Sequence, residues 1–343
     1  MCGVVMNHLK KLCALEGVSG REEAVRAYVL EALAGSKAPK RVEVDALGSV
    51  IVRLQGKLPA SRPVLFAAHM DEVGLIVTGA TEEGFLRFAT VGGLDPRVLF
   101  GRRVLVNGHA GLIGSKAVHM CSKEERKTAP SSDKLLIDVG TDSREAALKI
   151  ARPGDVAAFD SGYIRLEGGL VKARALDDRA GCALLLKLAE EQPETDIMLA
   201  FTVQEEIGLR GAKTVAYAVR PELAVVIDST TANDTAGVPD DKQVCRVGAG
   251  PVVSFMDNRT LYDRGLYEEI FRIAGEEHIQ TQPKTAVAGG NDAGAIQLSR
   301  SGVRVAAVSL PCRYIHSPSC VLSKKDMEET LSLMRALAAR LPV

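Results

Sequence analysis

The sequence has 343 residues, of which 46% are hydrophobic and 4% aromatic, and its 43 basic and 43 acidic side chains give a formal net charge of zero. This composition is typical of a globular chain long enough for two domains, and it excludes the basic surface and stacking platforms of nucleic-acid-binding proteins. No apolar stretch has the length of a membrane span and no signal peptide is recognisable, so we expect a cytoplasmic protein without a membrane partner.

The first part of the chain, residues 1–72, predicts helices followed by buried strands. Residues 19–33 form an amphipathic helix that opens with Ser19 and Glu22 at the spacing of a capping box. Apolar runs at 50–52 and 64–68 then predict short strands. The second run is almost entirely apolar, as in a strand covered on both faces, and His69 lies at its end.

The middle of the chain, residues 73–163, has a different texture. Short β-like runs alternate with Gly, Pro and Asn turns, with room for one helix near 143–150 and a polar loop at 121–133. The predicted strands are 75–77, 86–88, 104–106, 135–137 and 156–159. We interpret this stretch as a small β-rich domain inserted into the rest of the chain.

From residue 164 to residue 343, predicted helices and strands alternate. The predicted helices are 178–190, 211–218, 267–277, 292–300 and a final one after the cap Ser323, and the predicted strands are 197–202, 224–227 and 303–310. This alternation indicates an α/β domain with a mostly parallel sheet flanked by helices. Together with residues 1–72, it would form the catalytic domain that the insert interrupts.

Possible metal ligands follow or interrupt apolar runs in five places. They are His69 with Asp71, Asp177, the pair Glu205–Glu206, Asp228, and His316. Because the carboxyl ends of parallel strands meet along one edge of a sheet, these side chains are expected to converge. A rigid carboxylate between two cations about 3.5–4 Å apart is what a two-metal hydrolase needs. The set therefore predicts such a centre.

Each member alone has an ordinary explanation. His69 fits a core histidine, Asp177 a helix cap, and Glu205–Glu206 two solvated acids at a strand end. Adjacent buried acids repel, however, unless a metal neutralises one of them. If one glutamate is a ligand and the other a general base, that conflict disappears, because the base stays free to accept a proton.

Four segments carry a resemblance to a known family. They are Ala68-His69-Met70-Asp71-Glu72-Val73-Gly74, Ala175-Leu176-Asp177-Asp178-Arg179-Ala180-Gly181, Val203-Gln204-Glu205-Glu206-Ile207-Gly208 and Pro311-Cys312-Arg313-Tyr314-Ile315-His316-Ser317-Pro318. The segments resemble, in order and spacing, the signatures of the tetrahedral (TET) aminopeptidases of metallopeptidase family 42. The resemblance extends over most of the chain.

The resemblance implies a role for every candidate residue. By this resemblance, Asp177 would bridge two divalent metals. His69 and Asp228 would complete one metal site, and Glu206 and His316 would complete the other. Glu205 would be the general base, and Asp71 would orient the site. The resemblance also implies peptide substrates, a zinc-peptidase-like catalytic domain, and a PDZ-like insert that helps to build dimers and a hollow dodecamer. The oxygen and imidazole ligands suit Zn, Co or Mn.

Other functions remain open on the residues alone. A carboxypeptidase or a deacylase uses the same ligands, and a glycosidase also uses paired carboxylates but leaves both histidines without a role. Cys312 and His316 could form a nucleophilic pair, which would leave the carboxylates unexplained. An inactive oligomeric peptide-binding shell is the non-enzymatic alternative, although every ligand position is intact. We expect an aminopeptidase that acts through a metal-activated water.

Overall fold

The computed structural model describes residues 2–341. Its helices are α1 (Cys2–Leu12), α2 (Glu23–Gly35), α3 (Arg144–Ile150), α4 (Leu176–Ala189), α5 (Arg210–Val219), α6 (Arg264–Glu276), α7 (Ala293–Gln297) and α8 (Lys324–Arg340). Its strands are β1 (Lys40–Val44), β2 (Val50–Leu54), β3 (Val64–His69), β4 (Gly74–Ala80), β5 (Leu86–Val91), β6 (Arg103–Val106), β7 (His109–Gly114), β8 (Leu136–Asp138), β9 (Val156–Phe159), β10 (Ile164–Arg165), β11 (Leu170–Ala173), β12 (Ile197–Thr202), β13 (Leu223–Thr231), β14 (Val252–Val253), β15 (Gln282–Pro283), β16 (Arg304–Cys312) and β17 (Cys320–Ser323).

The largest sheet has eight strands in the order β1-β2-β12-β3-β13-β16-β14-β15. The four adjacent strands β12, β3, β13 and β16 are parallel, whereas β1–β2, β2–β12 and β14–β16 are antiparallel. The sheet is therefore mixed, and the parallel pairing predicted from the sequence is found at its centre and between β14 and β15 at one edge. Because only a short turn joins β1 to β2, the two strands can pair only as an antiparallel hairpin.

Helices cover both faces of this sheet. Successive side chains of β3 show this, because they pack alternately in two different core clusters. Val64, Phe66 and Ala68 belong to a core cluster that also contains residues of α1, α2, α4 and α8. Leu65 and Ala67, which point to the other face, pack in a second cluster with residues of α5 and α7. This double covering explains why β3 is apolar at almost every position.

Strands β4 to β9 form a closed barrel in the order β4-β5-β8-β7-β6-β9, with its own hydrophobic core. These strands lie between residues 74 and 159, inside the stretch that the sequence predicts as an insert. The only α-helix of this described stretch is α3, close to the predicted helix at 143–150. Strand β7 was not predicted, because the two glycines and exposed positions of His109–Gly114 hide its alternation.

The chain leaves the large sheet and returns to it at almost the same place. Strand β3 ends at His69 and the barrel begins at Gly74. After β9, the strands β10 and β11 join β17 in a three-stranded sheet, and α4 then begins at Leu176. This path brings Asp177 within 3.3 Å of His69 although 108 residues separate them in the sequence.

One predicted cap is confirmed and another is wrong. Ser323 caps α8, since its hydroxyl accepts a hydrogen bond from the Lys325 amide. Ser19 does not cap α2, which begins at Glu23 after Glu22 and has no side-chain cap. The Ser19 hydroxyl instead donates to Asp71 Oδ2 at 2.6 Å, a stronger charge-assisted contact than a backbone amide offers. Between residues 2 and 341, no helix combines the length and apolar character needed to cross a membrane.

Candidate metal centre

The carboxyl-terminal parts of three neighbouring strands place most of the candidate ligands. His69 is the last residue of β3, and Thr202, the last residue of β12, lies beside it in register. Glu205 and Glu206 follow β12 by a few residues, and Asp228 lies within β13 on the other side of β3. Parallel strands end at a common edge, so these side chains share one cleft.

The first possible metal site contains His69, Asp177 and Asp228, which are all buried. His69 Nε2 lies 3.3 Å from Asp177 Oδ1 and 3.9 Å from Asp228 Oδ1. One nitrogen of His69 and one carboxylate oxygen each of Asp177 and Asp228 lie within 4.8 Å of one another. A mixed set of one imidazole and two carboxylates is suited to a divalent transition metal.

The second possible site contains Asp177, Glu206 and His316. His316 Nε2 lies 3.3 Å from Asp177 Oδ2 and 3.3 Å from Glu206 Oε2. The two oxygens of Asp177 therefore face two different imidazoles, one in each group. A carboxylate in this arrangement can bridge two cations, and no other described residue belongs to both groups.

The contacts of the two histidines turn the same ring nitrogen, Nε2, toward the candidate carboxylate ligands. His69 Nδ1 lies 3.1 Å from the Asp71 carbonyl oxygen, and His316 Nδ1 lies 3.0 Å from the Gly93 carbonyl oxygen. A carbonyl can only accept, so Nδ1 carries the proton in both rings. Nε2 of each ring points toward Asp177 and is the nitrogen that would bind a metal, once it has lost its proton.

Asp71 contacts both His69 and the main chain of the Glu205–Glu206 pair. It is fully buried, its Oδ1 lies 3.4 Å from His69 Nδ1, and it accepts hydrogen bonds from the amides of Glu205 and Glu206 at 3.0 and 3.1 Å. Ser19 provides a further donor to the same carboxylate. The Asp71 side chain thus fixes the position of the His69 imidazole relative to the main chain of Glu205 and Glu206.

The centre brings several acidic side chains together where they are largely buried. Burial and the nearby charge of Asp177 raise the pKa of Glu206 to about 7, and the same two causes raise the pKa of Asp228 well above its usual range. Burial, with the charges of Asp292 and Glu206, also raises the pKa of Glu205. Glu206 Oε1 is buried and has no hydrogen-bond partner. An orphaned carboxylate oxygen among repelling acids fits bound cations.

A second buried network supports the start of α4 and was not predicted from the sequence. Glu72 accepts hydrogen bonds from Arg174 Nη1 at 3.0 Å, from Arg179 Nη2 at 3.3 Å and from the Gly17 amide at 3.1 Å. Arg179 also donates to the Leu12 carbonyl oxygen at 2.6 Å. These contacts anchor both ends of the segment that contains Asp177. The one signal was an arginine inside the apolar run of α4.

A cavity of about 210 Å³ opens beside the ligands. Its metal-centre wall carries all the candidate ligands together with Glu205. Its other lining residues are mostly small or polar, together with the apolar Val244 and Ile315 and one cation, Lys284. Lys284 carries no signal in the sequence, because it belongs to no motif and lies in a loop between β15 and α7.

The barrel reaches the metal centre at Gly93, which provides a test of the His316 contact. A Cβ atom at Gly93 would lie 3.3 Å from His316 Nδ1 and 3.7 Å from Cε1, so Gly93→Ala should tilt the imidazole. We expect the Zn²⁺ affinity of the protein to fall by ~10-fold or more, the usual effect of disturbing a residue that orients a ligand. Titration of the metal-free protein against a chromophoric chelator measures this.

Gly114→Ala is the matched control, since a Cβ atom there meets nothing within 4 Å and the position also lies in the barrel. It should bind Zn²⁺ as the wild type does. Unchanged Zn²⁺ affinity in Gly93→Ala would show that the Gly93 contact does not orient His316.

Comparisons with known proteins agree with this architecture. Residues 48–333 match the model of the family described as M42 glutamyl aminopeptidase. The chain is 32% identical to the lysyl aminopeptidase of Pyrococcus furiosus, over 97% of this chain and 96% of that protein. Among solved structures, an aminopeptidase from the archaeon Desulfurococcus kamchatkensis superposes with a TM-score of 0.93 at 35% identity, covering 99% of this chain and 95% of that one.

A further relative in the solved structures is the TET1 peptidase of Pyrococcus horikoshii, which can assemble into a tetrahedron or a large octahedral shell. It has a TM-score of 0.86 and 36% identity, over 98% of this chain and 100% of that chain. Identity above 30% over nearly the whole length, together with the family match, makes the assignment firm. The chain therefore belongs to the M42 peptidase family and is an aminopeptidase.

Proposed function

We propose that this aminopeptidase removes the N-terminal residue of peptides at a two-metal centre. The observation that carries the proposal is the position of Asp177, whose two carboxylate oxygens face His69 and His316 at 3.3 Å each. In this assignment Asp177 is the bridge, His69 and Asp228 complete one site, and Glu206 and His316 complete the other. The role of every ligand is part of the proposal.

The donor set limits the choice of metal. Imidazole nitrogen and carboxylate oxygen without thiolate suit Zn, Co or Mn. Two such ions, when bound, would lower the pKa of a water molecule and polarise the carbonyl group of the scissile bond.

Glu205 is the residue that we propose as the general base. Glu205, His69 and Glu206 form a third group of side chains that could hold a metal, since one ligand atom of each lies within 4.8 Å of the others. We propose that Glu205 stays free of metal, because the other two groups already supply three ligands each. Glu205 would accept the proton of the attacking water and later deliver it to the leaving amine. Asp71 holds the Glu205 amide at 3.0 Å and so fixes the position of the base.

The competing functions account for less of this geometry. A glycosidase needs two carboxyl groups on opposite sides of a sugar, and it gives no role to the two imidazoles. A cysteine nucleophile at Cys312 is disfavoured, because a hydrogen bond with Cys320 and complete burial raise the pKa of the Cys312 thiol well above its usual range. A carboxypeptidase or a deacylase would use the same ligands, so substrate assays must separate them.

The decisive experiment uses amino-acid p-nitroanilides and short peptides, each with a free and an N-acetylated amino terminus. The protein is stripped with a chelator and reloaded with Zn²⁺, Co²⁺ or Mn²⁺ before the assay. Turnover of the free peptides but not of the acetylated ones is expected. Release of C-terminal residues, deacylation, or hydrolysis of cellulose derivatives would contradict the proposal.

We further propose that the protein forms a homo-oligomer in which dimers associate into a dodecamer, and that residues 73–163 are a PDZ-like domain devoted to this assembly. The assembly of the Pyrococcus horikoshii relative supports this. Exposed apolar side chains on the barrel stretch also support it. Val118 is 70% exposed and Met120 is 64% exposed, and neither lies near the metal centre cavity.

The double substitution Val118→Glu and Met120→Glu tests this assembly role. We expect smaller particles in light scattering, because two charges in an apolar contact must be desolvated, with Zn²⁺ content unchanged. Leu58→Glu, which alters an exposed apolar residue outside the barrel, is the control and should keep the wild-type mass. A double variant with the wild-type mass would argue against a subunit contact at Val118 and Met120.

A further inference from the structure

Lys284 is the one cationic side chain in the cavity apart from the histidines. Its amide donates to the Val253 carbonyl oxygen at 3.0 Å, which fixes the residue at the edge of the large sheet. The side chain is only 8% exposed. Its Nζ donates to the Ala288 carbonyl oxygen at 2.7 Å.

This ammonium group is incompletely paired within the described part of the chain. Lysine has three N–H donors, and of those on Lys284 one has an acceptor among residues 2–341, while no carboxylate there lies within ion-pair distance. Burying a charge is costly unless a partner compensates it. The two remaining donors therefore favour an anionic group that enters from the cavity.

The lining of the cavity carries both signs of charge. Glu205, Glu206 and Asp228 are among its acids, and Lys284, whose Nζ donates to the Ala288 carbonyl oxygen, is its cation apart from the histidines. In an aminopeptidase, the scissile bond of the substrate lies at the metal centre, so the side chain of the first residue is the group that can extend along the cavity. A carboxylate on that side chain would meet the free donors of Lys284 instead of the acids.

We propose that Lys284 selects peptides whose N-terminal residue is glutamate or aspartate, by donating hydrogen bonds from Nζ to the side-chain carboxylate of that residue. This inference rests on the proposed function. Membership in the family does not decide the substrate, since the family is described as glutamyl and a relative with 32% identity is a lysyl aminopeptidase. The choice depends on the cavity residues of each chain.

The test compares Glu-p-nitroanilide with Gln-p-nitroanilide, which are nearly isosteric and differ in charge. These substrates also lack a peptide carboxyl terminus that could occupy Lys284 instead. We expect the wild type to favour Glu over Gln at least ~10-fold in kcat/KM, because hydrogen bonds between charged groups are stronger than neutral ones. Lys284→Met should bring this ratio close to one, and Lys284→Arg should preserve the preference for Glu.

Lys284→Met also removes the hydrogen bond to Ala288, so a purely structural role must be distinguished. Such a role would lower turnover of the Glu and Gln substrates equally and leave their ratio unchanged, which would overturn the proposal. Lys242→Met is the matched control, since it removes the same charge from an exposed position outside the cavity, and it should leave the ratio unaltered.

Binding of the free amino acids separates this inference from the proposed function. Calorimetry on the Zn²⁺-loaded protein should show tighter binding of L-glutamate than of L-glutamine, and this difference should vanish in Lys284→Met. Efficient cleavage of Leu- or Lys-p-nitroanilide without preference for Glu would overturn the role of Lys284 and leave the aminopeptidase reaction standing. Selective glutamate binding with no turnover of any substrate would support the Lys284 site and refute the proposed reaction.

Discussion

Asp177→Ala should empty both metal sites, the largest effect that we expect from a single substitution. Its two oxygens face the two imidazoles, so the change removes a ligand from each site at once. We expect less than one tightly held ion per chain after gel filtration, and loss of measurable peptide hydrolysis. Elemental analysis of the purified variant measures the metal content independently of activity.

His316→Ala is the control for this experiment, because His316 contacts only the second group of ligands. It should retain one ion with nearly normal affinity and lose the other. Circular dichroism confirms that both variants remain folded. Two tightly held ions in Asp177→Ala would refute the bridge.

Glu205→Gln should separate metal binding from catalysis. Glutamine has nearly the same shape as glutamate but cannot accept a proton, and the hydrogen bond from the residue 205 amide to Asp71 is unaffected because it comes from the main chain. We expect kcat to fall by at least ~10²-fold, the usual contribution of a positioned base, while both ions remain bound. Steady-state kinetics and metal analysis on the same preparation measure the two quantities.

Glu206→Gln provides the comparison, since Glu206 is proposed as a ligand and lies next to the base in the sequence. This variant should lose affinity for one metal, because a neutral amide is a weaker ligand than a carboxylate. Near-normal turnover in Glu205→Gln would show that another group accepts the proton. Loss of metal from Glu205→Gln would instead make Glu205 a ligand.

The sequence alone predicted the elements whose local pattern is strong. Strand β12 begins and ends where its apolar run does, and α8 begins after Ser323, whose hydroxyl forms the predicted cap. The candidate ligands could be identified because each follows or interrupts an apolar run, and buried parallel strands deliver their carboxyl ends to one edge. Their positions after predicted parallel strands were therefore sufficient to predict that His69 and Glu205 lie near each other.

Local pattern was insufficient at the edges of the large sheet. Strand β1 is largely exposed, and three of its five residues, Lys40, Arg41 and Glu43, are charged, so it lacks the apolar signal of a strand. Strands β14 and β15 are each two residues long and exist only because a neighbouring strand completes their hydrogen bonds. Strand direction at the edges likewise depends on pairing, which is a property of the folded sheet.

The tertiary structure alone decided how the site is supported and what its cavity contains. The Ser19 hydroxyl binds Asp71 instead of capping a helix, the Gly93 carbonyl oxygen orients His316 across 223 residues of sequence, and Lys284 enters the cavity from a loop without a motif. The sequence determined which residues are candidate ligands, because residue type and position after a predicted strand were enough to select them. It could not determine these contacts, because each depends on the packing of distant segments, and no local propensity encodes their distance or direction.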